Sequence, residues 1–417
     1  MAEAGTSNRP SLPAALGGEP VRSSPLPFYR APIPPETLEE LRATLESGWL
    51  TTGPRVRRFE ERLRELTGAR ALVATSSCTA ALHLALVLSG VGPGDEVITT
   101  PLTFCSTVHA ILHVGARPVF ADVEADTLLI SPEEVARRIG PHTRAVIAVD
   151  YGGHPADYPR LREVIGEAGG TGGIALIADC AHNLEGRCHG KPVAQLADYA
   201  CYSFYATKNL TTGEGGALAL ADPSQEERAR RLLLHGMESD AWKRYSVEGG
   251  NEGGEGDKLY EVYEAGFKYN LPELAAALGL VQLRHLGRWH QRRRELVLRY
   301  RQLLSELPEV ELLAEREWAE PAYHLMPVLI DFDSLGMGRR RFMEMLRAEG
   351  IHTSVHFTPV HQFHFYRQLM GDLDGELPVA SEAGRRLLSL PLFPEMGSEE
   401  VEQVVQALDK VIGWAKG

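Results

Sequence analysis

A polar, glycine-rich loop carries Lys208 directly after a short candidate strand. The stretch from residue 198 to 216 reads DYACYSFYATKNLTTGEGG, and its first residues alternate as those of a strand do. Only seven of the 43 lysine and arginine residues are lysines, so arginine fills most places that need just a positive charge. An amine can lose its proton and attack a carbonyl to form a Schiff base, whereas a guanidinium cannot. Lys208 is therefore a candidate nucleophile, with a surface lysine on a loop as the alternative interpretation.

A second candidate is the run TSSCTAAL at residues 75–82, in which small and hydroxyl residues enter a predicted helix. Hydroxyls and free backbone N–H groups at a helix N-terminus suit a phosphate. The alternative is a plain helix cap, which needs one such residue rather than four. Ser203, five residues before Lys208, is placed to hold the same phosphate.

Two further side chains follow predicted strands. Phe104 comes after the candidate strand Glu96–Thr99 and could cover a planar ring, although a core phenylalanine fits the sequence equally well. Asp179 ends the apolar run Ile174–Ala178. A buried carboxylate is costly without a positive partner. A protonated pyridine nitrogen is one such partner, and a structural salt bridge is the alternative.

The elements that position these residues alternate between short apolar runs and amphipathic stretches. This pattern predicts βαβ units and a mostly parallel sheet, whose ligands lie beyond the carboxyl ends of the strands. The predicted strands are Ala71–Ala74, Glu96–Thr99, Pro118–Ala121, Ala145–Val149, Ile174–Ala178 and the run from Tyr199 to Ser203, and the predicted helices among them are Thr79–Leu88 and Thr107–Val114.

The remaining patterns predict a flexible lead-in (residues 1–30), a large domain (31–285) and a smaller α+β domain (286–417). Residues 35–66 are helical except for a loop at 48–54, and SVEGGNEGGEGDK at 246–258 indicates a mobile surface loop. The predicted elements beyond it are one helix at Leu271–Leu304, or two joined near Gly287, strands at Tyr323–Ile330 and Thr353–Phe357, and helices at Arg339–Ala348 and Glu399–Trp414.

Composition excludes several classes of function. A net charge of -13 and a pI near 5.6 argue against nucleic acid as a partner. The sequence contains no apolar run long enough to cross a membrane and no secretory signal, so we expect a cytoplasmic protein. Five cysteines are an odd number, and reduced thiols are the expectation.

A phosphate cradle, an aromatic face, a carboxylate and a lysine on a loop are the parts that hold pyridoxal 5′-phosphate (PLP). With these parts, the chain resembles the DegT/DnrJ/EryC1/StrS family of PLP-dependent sugar aminotransferases. The matching stretches cover roughly residues 35–395. They are GWLTTGPRVRRFEERL, SSCTAALHLAL, GDEVITTPLTFCST, PVFADVEADTLLI, ADCAHNLEG, YSFYATKNLTTGEGG, GFKYNLPELAAALGLVQL and GIHTSVHFTPVHQFHFYR.

The resemblance implies the aspartate aminotransferase-like fold, type I of the PLP-dependent transferases, with a large mostly parallel-sheet domain and a smaller α+β C-terminal domain. It implies that Lys208 forms the Schiff base, Asp179 binds the pyridine nitrogen and Phe104 stacks on the ring. It also implies a homodimer, in which Asn270 or Lys268 reaches the phosphate in the neighbouring subunit. The implied phosphate and ring contacts are Thr79, Ala80, Ser203 and His182.

The sequence departs from the family's common pattern in two places. Cys78 stands where the phosphate motif usually has glycine, so its side chain must point away from the phosphate. GFKYN replaces the frequent GYNYR, which leaves open whether Asn270 or Lys268 crosses the dimer interface.

The resemblance implies transfer of an amino group from L-glutamate to a nucleotide-diphosphate keto-sugar in amino-sugar biosynthesis. Lys208 argues against the sugar dehydratases of the family, which have histidine there. A keto-cyclitol acceptor and a PLP-binding regulatory protein without catalysis are the alternatives. Zinc binding by Cys180, His182, Cys188 and His189 is disfavoured because their spacing matches no standard zinc motif. No lysine precedes Ser or Thr, so a Walker A loop is absent.

Overall fold

The computed structural model describes residues 12–168, 173–238 and 260–416. Its strands are β1 (Ala71–Thr75), β2 (Glu96–Thr99), β3 (Arg117–Phe120), β4 (Thr143–Val149), β5 (Ala175–Cys180), β6 (Arg187–Cys188), β7 (Lys191–Pro192), β8 (Tyr199–Ser203), β9 (Gly216–Leu220), β10 (Val310–Leu312), β11 (Ala319–Glu320), β12 (Met326–Ile330) and β13 (Leu387–Leu390). Its helices are α1 (Thr37–Glu46), α2 (Pro54–Thr67), α3 (Cys78–Leu88), α4 (Cys105–His113), α5 (Pro132–Arg138), α6 (Tyr158–Glu167), α7 (Glu226–Leu233), α8 (Glu273–Leu304), α9 (Arg339–Ala348), α10 (His364–Met370), α11 (Pro378–Arg386) and α12 (Ser398–Lys416).

The central sheet of the large domain has, in the described residues, seven strands in the order β1-β9-β8-β5-β4-β2-β3. The pairs from β8 to β3 are parallel, and β9 runs antiparallel to both neighbours. Every residue of β1 and β9 is buried, as expected for strands covered on both faces. The predicted α/β class with a mostly parallel sheet is confirmed.

The β9 strand brings two distant sequence motifs together. Its first residue, Gly216, pairs with Thr75 at the end of β1 and with Ser203 at the end of β8. A Cβ atom on Gly216 would lie 2.5 Å from the carbonyl carbon of Ser77, so only glycine fits this approach. The lysine loop thereby ends against the N-terminus of α3.

The small domain is built on the sheet β10-β12-β13, which is antiparallel throughout. Helices α9 and α12 and the second half of α8 cover it, and Phe342, Val404 and Tyr300 are buried in its core. Residues of the first half of α8, such as Ala276, belong to the large-domain core instead. The predicted boundary at residue 285 or 286 therefore lies inside one continuous helix, without a break at Gly287.

The segment from residue 12 to 30, predicted as part of a flexible lead-in, packs against the small domain. The N–H groups of Ala14 and Val21 donate to the buried Glu349 carboxylate at 2.7 and 2.9 Å. Lys410 pairs with the same carboxylate at 2.9 Å. The prediction of a flexible lead-in is therefore corrected for residues 12–30, because the buried Glu349 carboxylate of the small domain binds this segment.

The predicted strand at Thr353–Phe357 is wrong. Only Ser354 pairs with a strand residue there, through one isolated antiparallel bridge to Ser389. The residues that follow it, Val355, His356 and Phe357, line a cavity instead of pairing with a strand.

Three further predictions concern the loop at 246–258, the cysteines and membrane-spanning helices. The predicted mobile loop at 246–258 lies outside the described residues. All five cysteines lie inside the described ranges and are free, as expected for reduced thiols. Among the helices of those ranges, none combines the length and apolar character that crossing a membrane requires.

Candidate active site

Beyond the carboxyl ends of β4, β5 and β8 lies a cavity of about 610 Å³. That volume is typical of a small-molecule site. Six predicted site residues line it: Thr79, Phe104, Asp179, His182, Ser203 and Lys208. Two predicted residues, Ala80 and Asn270, are not in its wall.

Lys208 enters the cavity from the loop after β8. Its N–H donates to the Tyr205 carbonyl at 2.9 Å in a tight turn, and the Thr212 N–H donates to the Phe204 carbonyl at 2.9 Å across the loop. Burial lowers the pKa of the Lys208 amine to about 8, while nearby Cys78 and Asp179 oppose that shift. More of the amine is therefore neutral near pH 7 than for an exposed lysine, and the neutral amine is the nucleophile.

Asp179, the next-to-last residue of β5, is 4% exposed. Its Oδ2 accepts a 2.8 Å bond from the Thr107 hydroxyl, and its Oδ1 accepts a 3.1 Å bond from the Ala181 N–H. Burial raises the pKa of the Asp179 carboxyl, and these two hydrogen bonds and the charge of Lys208 oppose that shift. A buried acid of this kind can hold a positively charged ring nitrogen.

The N-terminus of α3 forms another wall of the cavity. Ser77 caps the helix by accepting a 3.1 Å bond from the Ala80 N–H. That N–H is therefore occupied, and Ala80 does not line the cavity. The Cys78 thiol turns toward β8 and β5, where Sγ lies 3.5 Å from the Cys201 carbonyl oxygen and 3.7 Å from Asp179 Oδ1.

Phe104 precedes α4 and is 60% exposed, so it is no core residue. Its ring lies 6.2 Å from the Phe357 ring at the cavity wall. A large apolar side chain held this open at a cavity is available to cover a planar ligand.

Three imidazoles line the same cavity. His182 accepts a 3.2 Å bond at Nδ1 from the Gly152 N–H, and its ring lies 4.5 Å from that of His324. Burial first, and then the charge of Lys208 or a neighbouring imidazole, lowers the pKa of all three; that of His356 falls to about 4. These shifts disfavour the charged imidazolium form of all three side chains.

Asn270 lies outside this wall, beside the end of β1. Its amide donates to the Thr52 hydroxyl at 2.9 Å, and its Oδ1 accepts a 2.7 Å bond from Lys268. The side chains of Lys268 and Asn270 thus bond to each other, and neither lines the cavity.

A larger cavity of about 730 Å³ lies at the edge strand β3. Among its charged side chains, Arg117 and Glu96 pair with each other, and Lys208 and Asp179 are remote from it. Size therefore does not identify the site; the convergence of the lysine and the buried acid does.

The zinc alternative finds no support in the described ranges, which contain no cluster of three or more His, Cys, Asp or Glu residues arranged to hold a metal ion. Cys180 instead donates to Asp150 at 3.4 Å, and His189 stacks on Trp318 at 5.2 Å.

Sequence reasoning missed Thr107, His324 and His356 as cavity or carboxylate contacts. Thr107 stands in the quoted run TFCST, in the first turn of α4 after a strand end, and that position was the available signal. His356 stands in the histidine-dense run GIHTSVHFTPVHQFHFYR. No comparable pattern marks His324.

An α/β fold whose strand ends place a lysine and a buried aspartate in one cavity has the groups that a Schiff-base enzyme acting on carbonyl compounds needs. The chain matches the DegT/DnrJ/EryC1/StrS aminotransferase family over residues 33–409 and belongs to it. The predicted family and enzyme class are confirmed.

Individual relatives match over nearly their whole length. The spore coat polysaccharide biosynthesis protein SpsC of Bacillus subtilis is 39% identical over 388 residues, which are 93% of this chain and 97% of SpsC. The PLP form of the putative sugar aminotransferase Spr1654 from Streptococcus pneumoniae has a TM-score of 0.85 and 30% identity over 94% of this chain and 99% of Spr1654. DesI, solved in the presence of its TDP-sugar product, has a TM-score of 0.82 and 32% identity, covering 95% of each chain.

Proposed function

We propose that the protein is a PLP-dependent aminotransferase that moves an amino group from L-glutamate to the keto group of a nucleotide-diphosphate keto-sugar. The observation that carries the proposal is that Lys208 and Asp179 line the same cavity at the strand ends. Membership of an aminotransferase family, the PLP form of Spr1654 and the TDP-sugar product of DesI support it. A sugar aminotransferase serves amino-sugar biosynthesis.

The cavity residues fit PLP. Lys208 would bind the aldehyde carbon, Asp179 the ring nitrogen, and Phe104 a ring face, with His182 as a further contact near the ring. Thr79 and Ser203 would hold the phosphate at the N-terminus of α3. Ala80 is the remaining predicted phosphate contact, and its N–H would have to leave the Ser77 hydroxyl to reach a phosphate.

PLP, when bound, supplies an electron-accepting ring that stabilises a carbanion on the amino donor. Asp179 would hold the proton on the ring nitrogen, and Thr107 and Ala181 fix the position of its carboxylate through their hydrogen bonds. The Lys208 amine would serve as the acid–base group that takes the proton from the donor's α-carbon. The same groups act in reverse order on the keto acceptor.

The test is a screen of keto-sugar nucleotides with L-glutamate, following the release of 2-oxoglutarate. Turnover with a nucleotide keto-sugar supports the proposal. Turnover with a keto-cyclitol alone would replace the acceptor, and PLP binding without any turnover would favour a regulatory protein.

The assembly belongs to the proposal as well. A homodimer would let Asn270 or Lys268 reach the partner's phosphate, which agrees with their position outside this chain's own cavity. A cytoplasmic location remains a prediction from the sequence.

A further inference from the structure

Residues 26–32, which we call the strap, pass between the two domains beside the cavity. The strap is tied to the small domain at one end. There Leu26 is 3% exposed, its N–H donates to the Gly350 carbonyl at 2.8 Å, and its carbonyl accepts a 3.1 Å bond from the His352 N–H.

At its other end the strap is tied to helix α8. The Pro32 carbonyl accepts a 2.7 Å bond from the side chain of Gln282, which is fully buried. Prolines at positions 25, 27 and 32 restrict the strap further, because each fixes its own φ and favours an extended residue before it. The middle of the strap is therefore held at both ends with little conformational freedom.

Two consecutive side chains in the middle of the strap contact the cavity wall. The Phe28 ring stacks on the His356 ring at 5.3 Å and an interplanar angle of 25°. The Tyr29 hydroxyl donates to the backbone carbonyl of Lys208 at 3.1 Å. One segment thus contacts two residues of the site that come from different domains.

The hydrogen bond from Tyr29 completes the fixation of the Lys208 backbone. The Lys208 N–H is bound to Tyr205, and the next side chain, Asn209, donates to the Ala322 carbonyl at 2.8 Å. With Tyr29 on the carbonyl, the backbone at Lys208 is held from three directions. Because the amine lies at the end of a flexible four-carbon side chain, the position of the Lys208 backbone determines which part of the cavity the amine can occupy.

We propose that Tyr29 is a positioning residue, which fixes the backbone from which Lys208 reaches into the cavity. This inference rests on the proposed function, in which Lys208 is the reacting amine. Small displacements of a reacting group lower the rate strongly, so a bond that fixes its backbone affects turnover without touching the substrate.

The electrostatics of the strap agree with this role. Burial raises the pKa of Tyr29 to about 12, with Glu395 adding to the shift and Arg293 opposing it. The hydroxyl therefore stays protonated and can donate at every pH at which the enzyme would work.

The test compares Tyr29→Phe with a matched control, Tyr300→Phe. Tyr300 lies on α8 in the small-domain core, and its hydroxyl donates to the Pro391 carbonyl at 2.9 Å. Each variant removes one oxygen and one bond to a backbone carbonyl while keeping the ring. Tyr300 is remote from Lys208, so the control separates positioning from a general loss of stability.

The first measurement is amide hydrogen exchange of residues 204–212 in PLP-free protein. Tyr29→Phe should speed exchange of this loop about five-fold, the effect of one net hydrogen bond, and Tyr300→Phe should leave the loop unchanged. The second measurement is kinetic: kcat should fall about five- to ten-fold in Tyr29→Phe, with KM for the donor within about two-fold of wild type.

The outcomes are distinct. Unchanged loop exchange in Tyr29→Phe would overturn the inference, and so would an equal loss of kcat in both variants. If the wild-type protein never shows the visible band of lysine-bound PLP, the proposed function fails. The exchange data still decide whether Tyr29 fixes the loop.

Discussion

Asp150 and Asp179 end neighbouring strands of the same sheet but meet different surroundings. Asp150 is fully buried and accepts from four groups: the Tyr158 hydroxyl, the Ala156 N–H, the Asn183 amide and the Cys180 thiol. Cys180 follows Asp179 in β5, and successive strand residues face opposite sides of a sheet. The two carboxylates therefore occupy opposite faces.

Burial raises the pKa of both acids, that of Asp150 to about 6. The perturbed pKa, the burial and the place at a strand end are thus common to both and do not identify the functional residue. The difference lies in what surrounds each carboxylate. Asp150 is surrounded by donors of its own chain, whereas Asp179 also faces a cavity and the Lys208 amine. A buried acid left open to a cavity is the stronger indication of a ligand.

The largest expected effect is at Lys208, which lines the same cavity as Asp179. Lys208→Arg keeps the charge but cannot form a Schiff base, so turnover should fall about 10⁴-fold or more. The protein should fold and lack the visible band of lysine-bound PLP. The matched control is Lys191→Arg on the exposed strand β7, which should keep both. Turnover retained in Lys208→Arg would remove this lysine from the mechanism.

Asp179→Asn should lower kcat by about 10³-fold and leave PLP bound, because an amide cannot keep a proton on the ring nitrogen. The proposed phosphate contacts at Thr79 and Ser203 are left in place by the change. The measurement is steady-state kinetics together with PLP content after gel filtration. Near-normal turnover would make Asp179 a structural carboxylate of the same kind as Asp150.

In the proposed dimer, a second subunit would contribute to the site through Asn270 or Lys268. Asn270→Ala should lower PLP retention, and so should Lys208→Ala, each leaving its homodimer inactive. After subunit exchange, half the dimers are hybrids with one intact site, so about a quarter of the activity should return. No recovery, with exchange shown by tagged subunits, would place Asn270 in its own chain's site.

Asp150→Asn should act on stability instead. The amide nitrogen would face the Asn183 amide, and one buried donor would lose its acceptor, which costs about 2 kcal/mol of unfolding free energy. The activity of the folded protein should stay within about two-fold of wild type. Urea unfolding measures the first quantity, and a large loss of kcat without destabilisation would contradict the contrast drawn between the two acids.

The sequence predicted features that depend on residues close together in the chain, and it missed contacts between distant residues. The strands, and the residues at their ends, follow from local patterns, so Asp179, Ser203 and Lys208 were found together. The partner of Lys208 at Tyr29 is 179 residues away. No local pattern encodes such a contact. Thr353–Phe357 has strand-like residues, but only Ser354 bridges to a strand, and Val355, His356 and Phe357 line the cavity.

The smallest effect concerns the pH dependence of PLP capture by the cofactor-free protein. Only the neutral amine attacks the aldehyde, so the capture rate should rise with pH and level off above the Lys208 pKa of about 8. The charge of Asp179 raises that pKa, since it stabilises the ammonium form. Asp179→Asn should therefore move the midpoint to lower pH.

The control for this shift is Asp150→Asn, whose carboxylate lies on the other face of the sheet and should leave the midpoint in place. The measurement is stopped-flow absorbance of the lysine-bound band across pH 6 to 10. A midpoint that moves equally in both variants would show that the two acids act on Lys208 alike. That result would contradict the contrast between Asp179, which faces the cavity, and Asp150, which does not.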